Sequence, residues 1–437
     1  MFAALPARVE SKSLQLIRDA EIENTIRAYA TPLFQASGFN PRDIKVFLVQ
    51  DPSLNAFVTP GLRMFIHTGL LLRAKTPLQV IGVIAHETGH LAAGDTARGG
   101  GKARASSNAV ILSYILGLGA ALATGRPEAA QAIIAGGQDI ALKGLLSYSR
   151  GQEAAADQYA VRVLNGTGQS PRGLLEFMQI LAGQEVLLTS RQSPYLQNHP
   201  LTSDRVAFLE DQVRHSPYAD QPAAPALVAM HARMRAKLLG FLYPLERVLR
   251  QYPKSDTSLP ARYARGIAYF QAGDMKAANR IIDGLIAEHP NDPYFHELKG
   301  QMNFESGRIA EAVTAYGEAA RLLPDSPQIR LALAQTQIEM NDPALDKAAL
   351  VNLRTTLRDE PQNSFAWRLS ATAYGRQGDI GLTELSMAEA VLAHGKAKEA
   401  RAHATRAQKA LKKNSEPWLR AQDIETLTQR LIAKDEE

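Results

Sequence analysis

The residues most able to do chemistry are two histidines and an acid in the stretch AHETGH. His86 and His90 are four residues apart, and Glu87 follows the first histidine directly. On a helix, side chains four apart project from one face, so the two imidazoles can share one metal ion. Glu87 is turned about 100° away, where its carboxylate could take a proton from a water held by the metal. The alternative is a pair of helix histidines with structural partners and no metal.

Glu153 and Asp157 form a second pair with helical spacing, in the stretch SRGQEAAADQYAVRVL. A catalytic zinc needs a third protein ligand and an open fourth position. Buried acids in so alanine-rich a helix would be costly without partners. We expect Glu153 to be the third metal ligand and Asp157 to accept a hydrogen bond from a ligand histidine. The alternative is a solvated helix face with Arg150 and Arg162 as neighbours.

A third histidine, His199, follows the loop-like stretch TSRQSPYLQN and stands six residues before Arg205 in HPLTSDR. A neutral imidazole can bind zinc, and a protonated one can donate to an oxyanion, so both roles are open to His199. Pro200 favours an extended backbone at the histidine. The alternative is a surface His-Pro pair that precedes a helix.

The elements that must position these residues can be read from hydrophobic periodicity. The pattern predicts a helix over about 8–36, a short β-branched strand over 44–50, and a helix from Pro77 to about Ala93 that contains AHETGH. Between them, residues 55–72 predict a strand, a turn at Pro60-Gly61, a second strand and a helix entry. Helical patterning also covers the residues up to Leu164 that carry the acidic pair.

The second half of the chain is a repeat. One interval, about 34 residues, separates Gly273 from Gly307, Pro290 from Pro324, and Pro293 from Pro327. The step from Gly307 to Gly378 exceeds two such intervals by three positions, which indicates a three-residue insertion near NDPALDK. This period is typical of tetratricopeptide repeats, helix–turn–helix units that bury their apolar faces by stacking on one another. An irregular helical bundle is the alternative.

The chain length of 437 residues favours two domains, and the Pro- and Ala-rich stretch HSPYADQPAAP is the clearest linker. We expect a first domain over 1–214, a linker over 215–225 and a repeat domain over 226–437. The predicted fold is predominantly α: an α+β domain with a small β-sheet, followed by an all-α solenoid.

Composition excludes several classes of protein. The chain has no cysteine, which removes disulfides, thiol catalysis and cysteine-ligated zinc. Its net charge of +5 comes from scattered residues and does not indicate nucleic-acid binding. The start MFAALPARVESKS lacks the basic and apolar regions of a signal peptide, so it favours a cytoplasmic protein or a chain that begins after a removed signal.

One apolar segment covers residues 108–124 (NAVILSYILGLGAALAT). It is shorter than the roughly 20 residues that a membrane-spanning helix needs, and glycines interrupt it. We expect a buried or membrane-touching helical hairpin, with a true membrane span as the alternative.

Four ordered stretches, NAFVTPG, AHETGH, GQEAAAD and NHPLTSDR, together resemble the M48 family of zinc metallopeptidases, which includes periplasmic proteases with tetratricopeptide tails. The resemblance covers residues 8–212, and the repeats extend it over nearly the whole chain. It implies one zinc ion per chain. Its implied ligands are His86, His90 and Glu153, with Glu87 as the general base.

The same resemblance implies that His199 and Arg205 are active-site residues. It implies that His199 either stabilises the oxyanion or occupies the open zinc position and holds the enzyme latent. The strand containing Asn55, Ala56 and Phe57 would bind a peptide substrate as an added β-strand, with Asn55 orienting its backbone. A plain turn residue is the alternative for Asn55. Asp95 stands where many relatives have a further histidine.

The predicted function is zinc-dependent cleavage of proteins that the repeats recruit. The resemblance implies a periplasmic protein whose partners are outer-membrane β-barrel precursors and their assembly machinery, in quality control of the cell envelope. A chaperone or adaptor with a latent zinc site is the first alternative. An integral membrane protease, which would depend on residues 108–124, is the second.

Overall fold

The computed structural model describes residues 15–94, 148–187, 195 and 198–435. The predicted hairpin at 108–124, together with Asp95, lies outside these residues. The chain divides into two compact units, with the boundary between Leu239 and Gly240.

The first unit contains a four-stranded sheet and seven described helices, the last of which runs three residues past the boundary. Its strands are β1 (Leu16–Ile17), β2 (Lys45–Val49), β3 (Ala56–Thr59) and β4 (Arg63–His67). Its helices are α1 (Ala20–Ala36), α2 (Thr68–Arg73), α3 (Pro77–Ala93), α4 (Arg150–Gly166), α5 (Arg172–Leu187), α6 (Ser203–His215) and α7 (Pro225–Leu242). The predicted strand–turn–strand–helix over 55–72 is confirmed, with a left-handed backbone at Gly61 and Leu62 in the turn.

The sheet has the strand order β1-β2-β4-β3, so β3 is an edge strand within the described residues. β2 runs parallel to β4, and β3 pairs antiparallel with β4 with Ala56 opposite Ile66. The rings of Phe47, Phe65 and Phe57 stack in a row across one face, with centroids 5.0 and 4.9 Å apart. These cross-strand pairs fix the register of the three strands.

Helix α3 has the bounds that the sequence predicts, because both of its ends carry clear signals. Pro77 stands at its first position, and Gly94 ends it with a left-handed backbone at φ 66°. The helix is buried along most of its length and packs against α1, α4 and α5. Two glycines permit these approaches. A Cβ on Gly82 would lie 2.6 Å from the backbone nitrogen of Leu174, and one on Gly89 would lie 3.0 Å from Ala156.

Helix α7 packs against the first unit through polar side chains. Lys237 lies 2.7 Å from a carboxylate oxygen of Asp19, and Arg233 lies 2.8 Å from Glu21. His231 contacts the Tyr29 hydroxyl at 3.2 Å and the Ala74 carbonyl at 3.0 Å. Helix α7 thus belongs with the first unit over most of its length, while the predicted linker at 215–225 lies between α6 and the first turn of α7.

The second unit is a series of antiparallel helix pairs that follows the short helix α8 (Leu245–Gln251). The pairs are α9 (Leu259–Gln271) with α10 (Met275–Glu288), α11 (Pro293–Glu305) with α12 (Ile309–Leu322), α13 (Pro327–Glu339) with α14 (Pro343–Asp359), α15 (Ser364–Arg376) with α16 (Ile380–Leu392), and α17 (Ala397–Ala410) with α18 (Glu416–Asp435). The predicted repeats are confirmed, and the predominantly α fold with them.

The repeat spacing has a clear structural cause. Gly273, Gly307 and Gly378 all adopt a left-handed backbone between the helices of a pair, and Asn341 takes the same conformation one repeat after Gly307. The predicted insertion is confirmed as extra helix, since α14 has 17 residues where α10 and α12 have 14.

A second feature recurs in three repeats. His296, Arg330 and Trp367 occupy equivalent positions, and each bonds through a ring or guanidinium nitrogen to a carbonyl six residues earlier, at 2.8 Å in every case. This contact fixes the loop that enters each pair. None of the described helices is long and apolar enough to cross a membrane.

Candidate metal centre

Helix α3 presents His86 and His90 on one buried face. Neither side chain is exposed to solvent, and their Nε2 atoms lie 3.2 Å apart. Gly89 lets α4 approach this turn of α3, because a larger residue would press against Ala156. The helix therefore offers two nitrogen atoms as potential metal ligands, and the close packing brings a carboxylate of α4 beside them.

Helix α4 contributes Glu153 and Asp157. A capping box formed by Ser149 and Gln152 starts the helix and so sets the position of its first turn. Glu153 Oε2 lies 3.4 Å from His86 Nε2, and Glu153 Oε1 lies 3.3 Å from His90 Nε2. Both acids are fully buried, which contradicts the alternative of a solvated helix face.

Four buried residues, His86, His90, Glu153 and His199, bring one potential ligand atom each to a common point, all within 4.8 Å of one another. His199 Nδ1 lies 3.4 Å from His86 Nε2 and 2.9 Å from Glu153 Oε1. Ligands at about 2.0–2.2 Å from a tetrahedral zinc lie about 3.3–3.6 Å from each other. The separations among His86 Nε2, His90 Nε2 and the two oxygens of the Glu153 carboxylate, 3.2–3.4 Å, are close to that geometry, so these three residues fit a zinc ion.

Asp157 and Arg205 contact two of the potential ligands, His86 and Glu153. Asp157 Oδ1 lies 2.9 Å from the Nδ1 of His86, the nitrogen that faces away from the other ligands. Arg205 donates to both oxygens of Asp157, at 2.7 and 2.9 Å, and its Nη1 lies 2.7 Å from Glu153 Oε2. The same Nη1 donates to the Pro200 carbonyl at 2.9 Å. One guanidinium therefore ties both acids to the segment that carries His199.

The charges in this cluster are strongly coupled. Burial opposes the charged form of His86, but Asp157 and Glu153 outweigh it and raise its pKa to about 10. Burial also acts against charge on Glu153, yet His199 and the other two histidines hold the pKa of this carboxyl far below its usual range. The pKa of Arg205 is raised although burial opposes it, because the guanidinium faces Asp157 and Glu153. The site is thus built around ionised carboxylates.

Glu87 lies beside the four-residue cluster with its carboxylate uncommitted. It is fully buried, and neither carboxylate oxygen has a hydrogen-bond partner among the described residues. Its Oε1 lies 3.5 Å from His199 Nε2. A buried carboxylate without donors is costly, so this position indicates a chemical task for Glu87.

The predicted substrate strand is β3. Ala56 and Phe57 lie in it, and Asn55 immediately precedes it. Asn55 is buried, its backbone carbonyl accepts from His67 N, and its side-chain oxygen has no partner among the described residues. Helix α3 packs against this strand, which brings the sheet edge to the metal centre.

Two tyrosines complete the site, and neither was selected by the sequence patterns. Tyr148 stacks on His90 with centroids 3.8 Å apart, and Tyr195 stacks on His199 at 4.4 Å. Burial and the charge of Glu87 raise the pKa of Tyr195 well above its usual value. Spacing could have suggested Tyr195, which stands four residues before His199. No local pattern connects Tyr148 with His90, because the two are far apart in the sequence.

The site lies in a part of the chain that matches a known protein family. Residues 17–213 match the model of peptidase family M48, and residues 263–327 match a tetratricopeptide-repeat model. The M48 match spans all of the residues of the candidate metal centre. The chain carries an M48 peptidase domain followed by tetratricopeptide repeats. It is accordingly a metallopeptidase.

Two curated relatives match most of this chain, and a third matches about half of it. The Beta-barrel assembly-enhancing protease of Yersinia pestis is 26% identical over 362 residues, which are 81% of this chain and 72% of that protein. The protein of the same name from Escherichia coli K12 is 24% identical, over 83% of this chain and 73% of its own length. The Metalloprotease LoiP of Escherichia coli K12 is 28% identical over 212 residues, or 47% of this chain and 76% of that protein.

Proposed function

We propose that this chain is a zinc-dependent endopeptidase in which His86, His90 and Glu153 hold the metal. The observation that carries the proposal is the set of four buried potential ligand atoms, all within 4.8 Å of one another, beside the Glu87 carboxylate, which has no hydrogen-bond partner among the described residues. Zinc, when bound, would supply Lewis-acid chemistry and lower the pKa of a water. Glu87 would accept the proton of that water as general base.

The other polar residues of the site would position these groups. Asp157 would orient His86 through its Nδ1, and Arg205 would hold Asp157 and Glu153 together. Arg205 directs its donors to these acids and to Pro200, so we propose a positioning role for it.

His199 would have two states. Its Nδ1 lies 3.4 Å from His86 Nε2 and 2.9 Å from Glu153 Oε1, and we propose that in this position it would act as a fourth ligand and hold the enzyme latent. When it leaves that position, its imidazole would be free to donate to the oxyanion that forms on the substrate.

We further propose that the peptidase domain comprises 1–214 together with helix α7, and that the repeats after α7 recruit protein substrates. The relatives from Yersinia pestis and Escherichia coli are called β-barrel assembly-enhancing proteases. By this likeness, the partners would be outer-membrane β-barrel precursors and their assembly machinery, in the periplasm, and the role would be quality control. Peripheral contact with a membrane through 108–124 stays a prediction.

The proposal is tested by metal analysis and by one substitution. Purified protein should contain one zinc per chain, measured by mass spectrometry of the metal, and should cleave casein. Glu87→Gln keeps the size of the side chain and removes the base, so it should keep the zinc and lose at least a hundredfold in kcat. Equal cleavage by both proteins, or no zinc in either, would contradict the proposal.

A chaperone or adaptor with a latent zinc site is the second candidate, and the position of His199 among the ligands favours it. In that case the repeats carry the function, and Glu87→Gln supports assembly of β-barrel proteins as well as wild type does. Replacing His199 with Ala separates the two candidates. An endopeptidase held latent by His199 becomes more active in casein cleavage, whereas an adaptor does not.

A further inference from the structure

The backbone of β3 presents alternate residues to the edge that faces away from β4. His67 N donates to Asn55 O at 3.0 Å, so Asn55 and His67 form a hydrogen-bonded pair in the antiparallel ladder. Such pairs alternate with non-bonded ones. The N–H and C=O groups of Ala56 and Val58 therefore point away from β4, and these are the groups that an added peptide strand would use.

This edge is closed in the structure. Ala56 and Val58 are both buried, with at most 1% of their surface exposed. The hydroxyl of Tyr148 donates to the outward carbonyl of Val58 at 3.4 Å. Tyr148 thus occupies an acceptor that a substrate N–H would need.

Tyr148 is also joined to the metal centre on two sides. Its ring lies nearly parallel to that of His90, with 13° between the planes. Its backbone N–H donates to the carbonyl of Asn198, the residue before His199. Tyr148 therefore connects a proposed ligand and the substrate edge through its side chain, and the segment of His199 through its backbone.

We propose that Tyr148 competes with the substrate backbone for Val58 and so sets how tightly peptides bind to the edge of β3. The inference rests on the proposed function, in which β3 binds an extended peptide. A phenolic hydrogen bond is usually about 2.7–2.8 Å long, so the 3.4 Å contact is weak and easily exchanged for a peptide N–H. Substrate binding would displace the hydroxyl while the ring keeps its place against His90. Tyr148 is a positioning residue on this account, because it is exchanged for the substrate and takes no part in proton transfer.

The experiment measures binding without cleavage. The probe is a fluorescent ten-residue peptide of alternating Val and Thr with terminal lysines, titrated against Glu87→Gln and against Glu87→Gln combined with Tyr148→Phe. Loss of one weak competing hydrogen bond should tighten the Kd about two- to fivefold. The matched control is Tyr29→Phe in the same background, since Tyr29 is another fully buried tyrosine of this unit and its hydroxyl bonds to His231. It should leave the Kd unchanged.

Kinetics give the second measurement. In the protein with Glu87 intact, Tyr148→Phe should lower KM for the peptide by the same factor and leave kcat within twofold. An unchanged Kd, or a weaker one, would overturn the proposal, as would failure of the peptide to bind either protein. A kcat that falls tenfold would make Tyr148 a donor to the transition state and would overturn it too. Casein cleavage by wild type tests the endopeptidase activity separately.

Discussion

At the scale of residues, the metal centre is held together by one guanidinium. Arg205 donates to both oxygens of Asp157 and lies 2.7 Å from Glu153. Its positive charge offsets the repulsion between these two buried carboxylates. Asp157 in turn fixes the Nδ1 of His86. The sequence predicted the roles of Glu153 and Asp157 from a spacing of four residues. It could not predict how Arg205 binds them, because the contact with Asp157 joins residues 48 apart in the chain.

Arg205→Lys tests this arrangement. Lysine keeps the charge but cannot bond both oxygens of Asp157, so the ligands should be less well oriented. We expect metal affinity, measured by chelator competition, to fall about 10- to 100-fold.

The control for Arg205→Lys is Arg172→Lys, since Arg172 pairs with exposed Asp220 in the same unit. It should leave the metal affinity unchanged. Equal affinity in the Arg205 variant and wild type would show that Asp157 and Glu153 are oriented without the guanidinium.

At the scale of elements, the predictions succeeded where one local signal decides the structure. Helix α3 has proline at its start and glycine at its end, and the repeats carry glycine where a left-handed backbone is required. Asn341 supplies the same conformation without being glycine, so it interrupts the glycine pattern while the structural period continues. How closely α3 packs against α4 and α5 could not be predicted, because Gly82 and Gly89 mark close approaches only when the partner helix is known.

Gly82→Ala should destabilise the first unit. The new Cβ would lie 2.6 Å from the backbone nitrogen of Leu174, so α3 and α5 must separate. Such overpacking costs about 1–3 kcal/mol, although alanine recovers up to about 1 kcal/mol of helix propensity. Urea unfolding should therefore show a net loss of about 1–2 kcal/mol in the free energy of unfolding.

Gly183→Ala in α5 is the matched control for Gly82→Ala. Its Cβ would meet nothing within 4 Å, and the position is exposed. The helix-propensity gain should then appear alone, as a stabilisation of up to about 1 kcal/mol. Stabilisation by both substitutions would mean that α3 and α5 do not pack as closely as described.

At the scale of the whole molecule, α7 is the helix that crosses the boundary between the two units. The composition of 215–225 suggested a linker there, and the residues after it suggested the start of the repeats. Helix α7 instead contacts α1 through Lys237 and Arg233, and its His231 lies between Tyr29 and Ala74. The partners of His231 stand 202 and 157 positions earlier in the chain, beyond the reach of any local pattern.

His231 makes the attachment of α7 sensitive to pH. Burial lowers its pKa from 6.5 to about 4, so the folded state favours the neutral imidazole. Above pH 6.5 the group is neutral in both folded and unfolded chains, and its contribution to stability is fully present. As the pH falls below 6.5, the unfolded chain takes up the proton before the folded chain does, so the contribution of His231 to stability decreases. The decrease ends once the pH is below the folded pKa. From pH 7.5 to 5.0 the loss should be about 2 kcal/mol in the free energy of unfolding.

Urea titrations at the two pH values, on wild type and His231→Gln, measure this loss. Glutamine does not titrate, so the variant should be less stable than wild type at pH 7.5 but should lose about 2 kcal/mol less on acidification. The other acids and histidines titrate in both proteins and cancel in the difference, so equal losses would show that His231 is already protonated in the folded chain at pH 5.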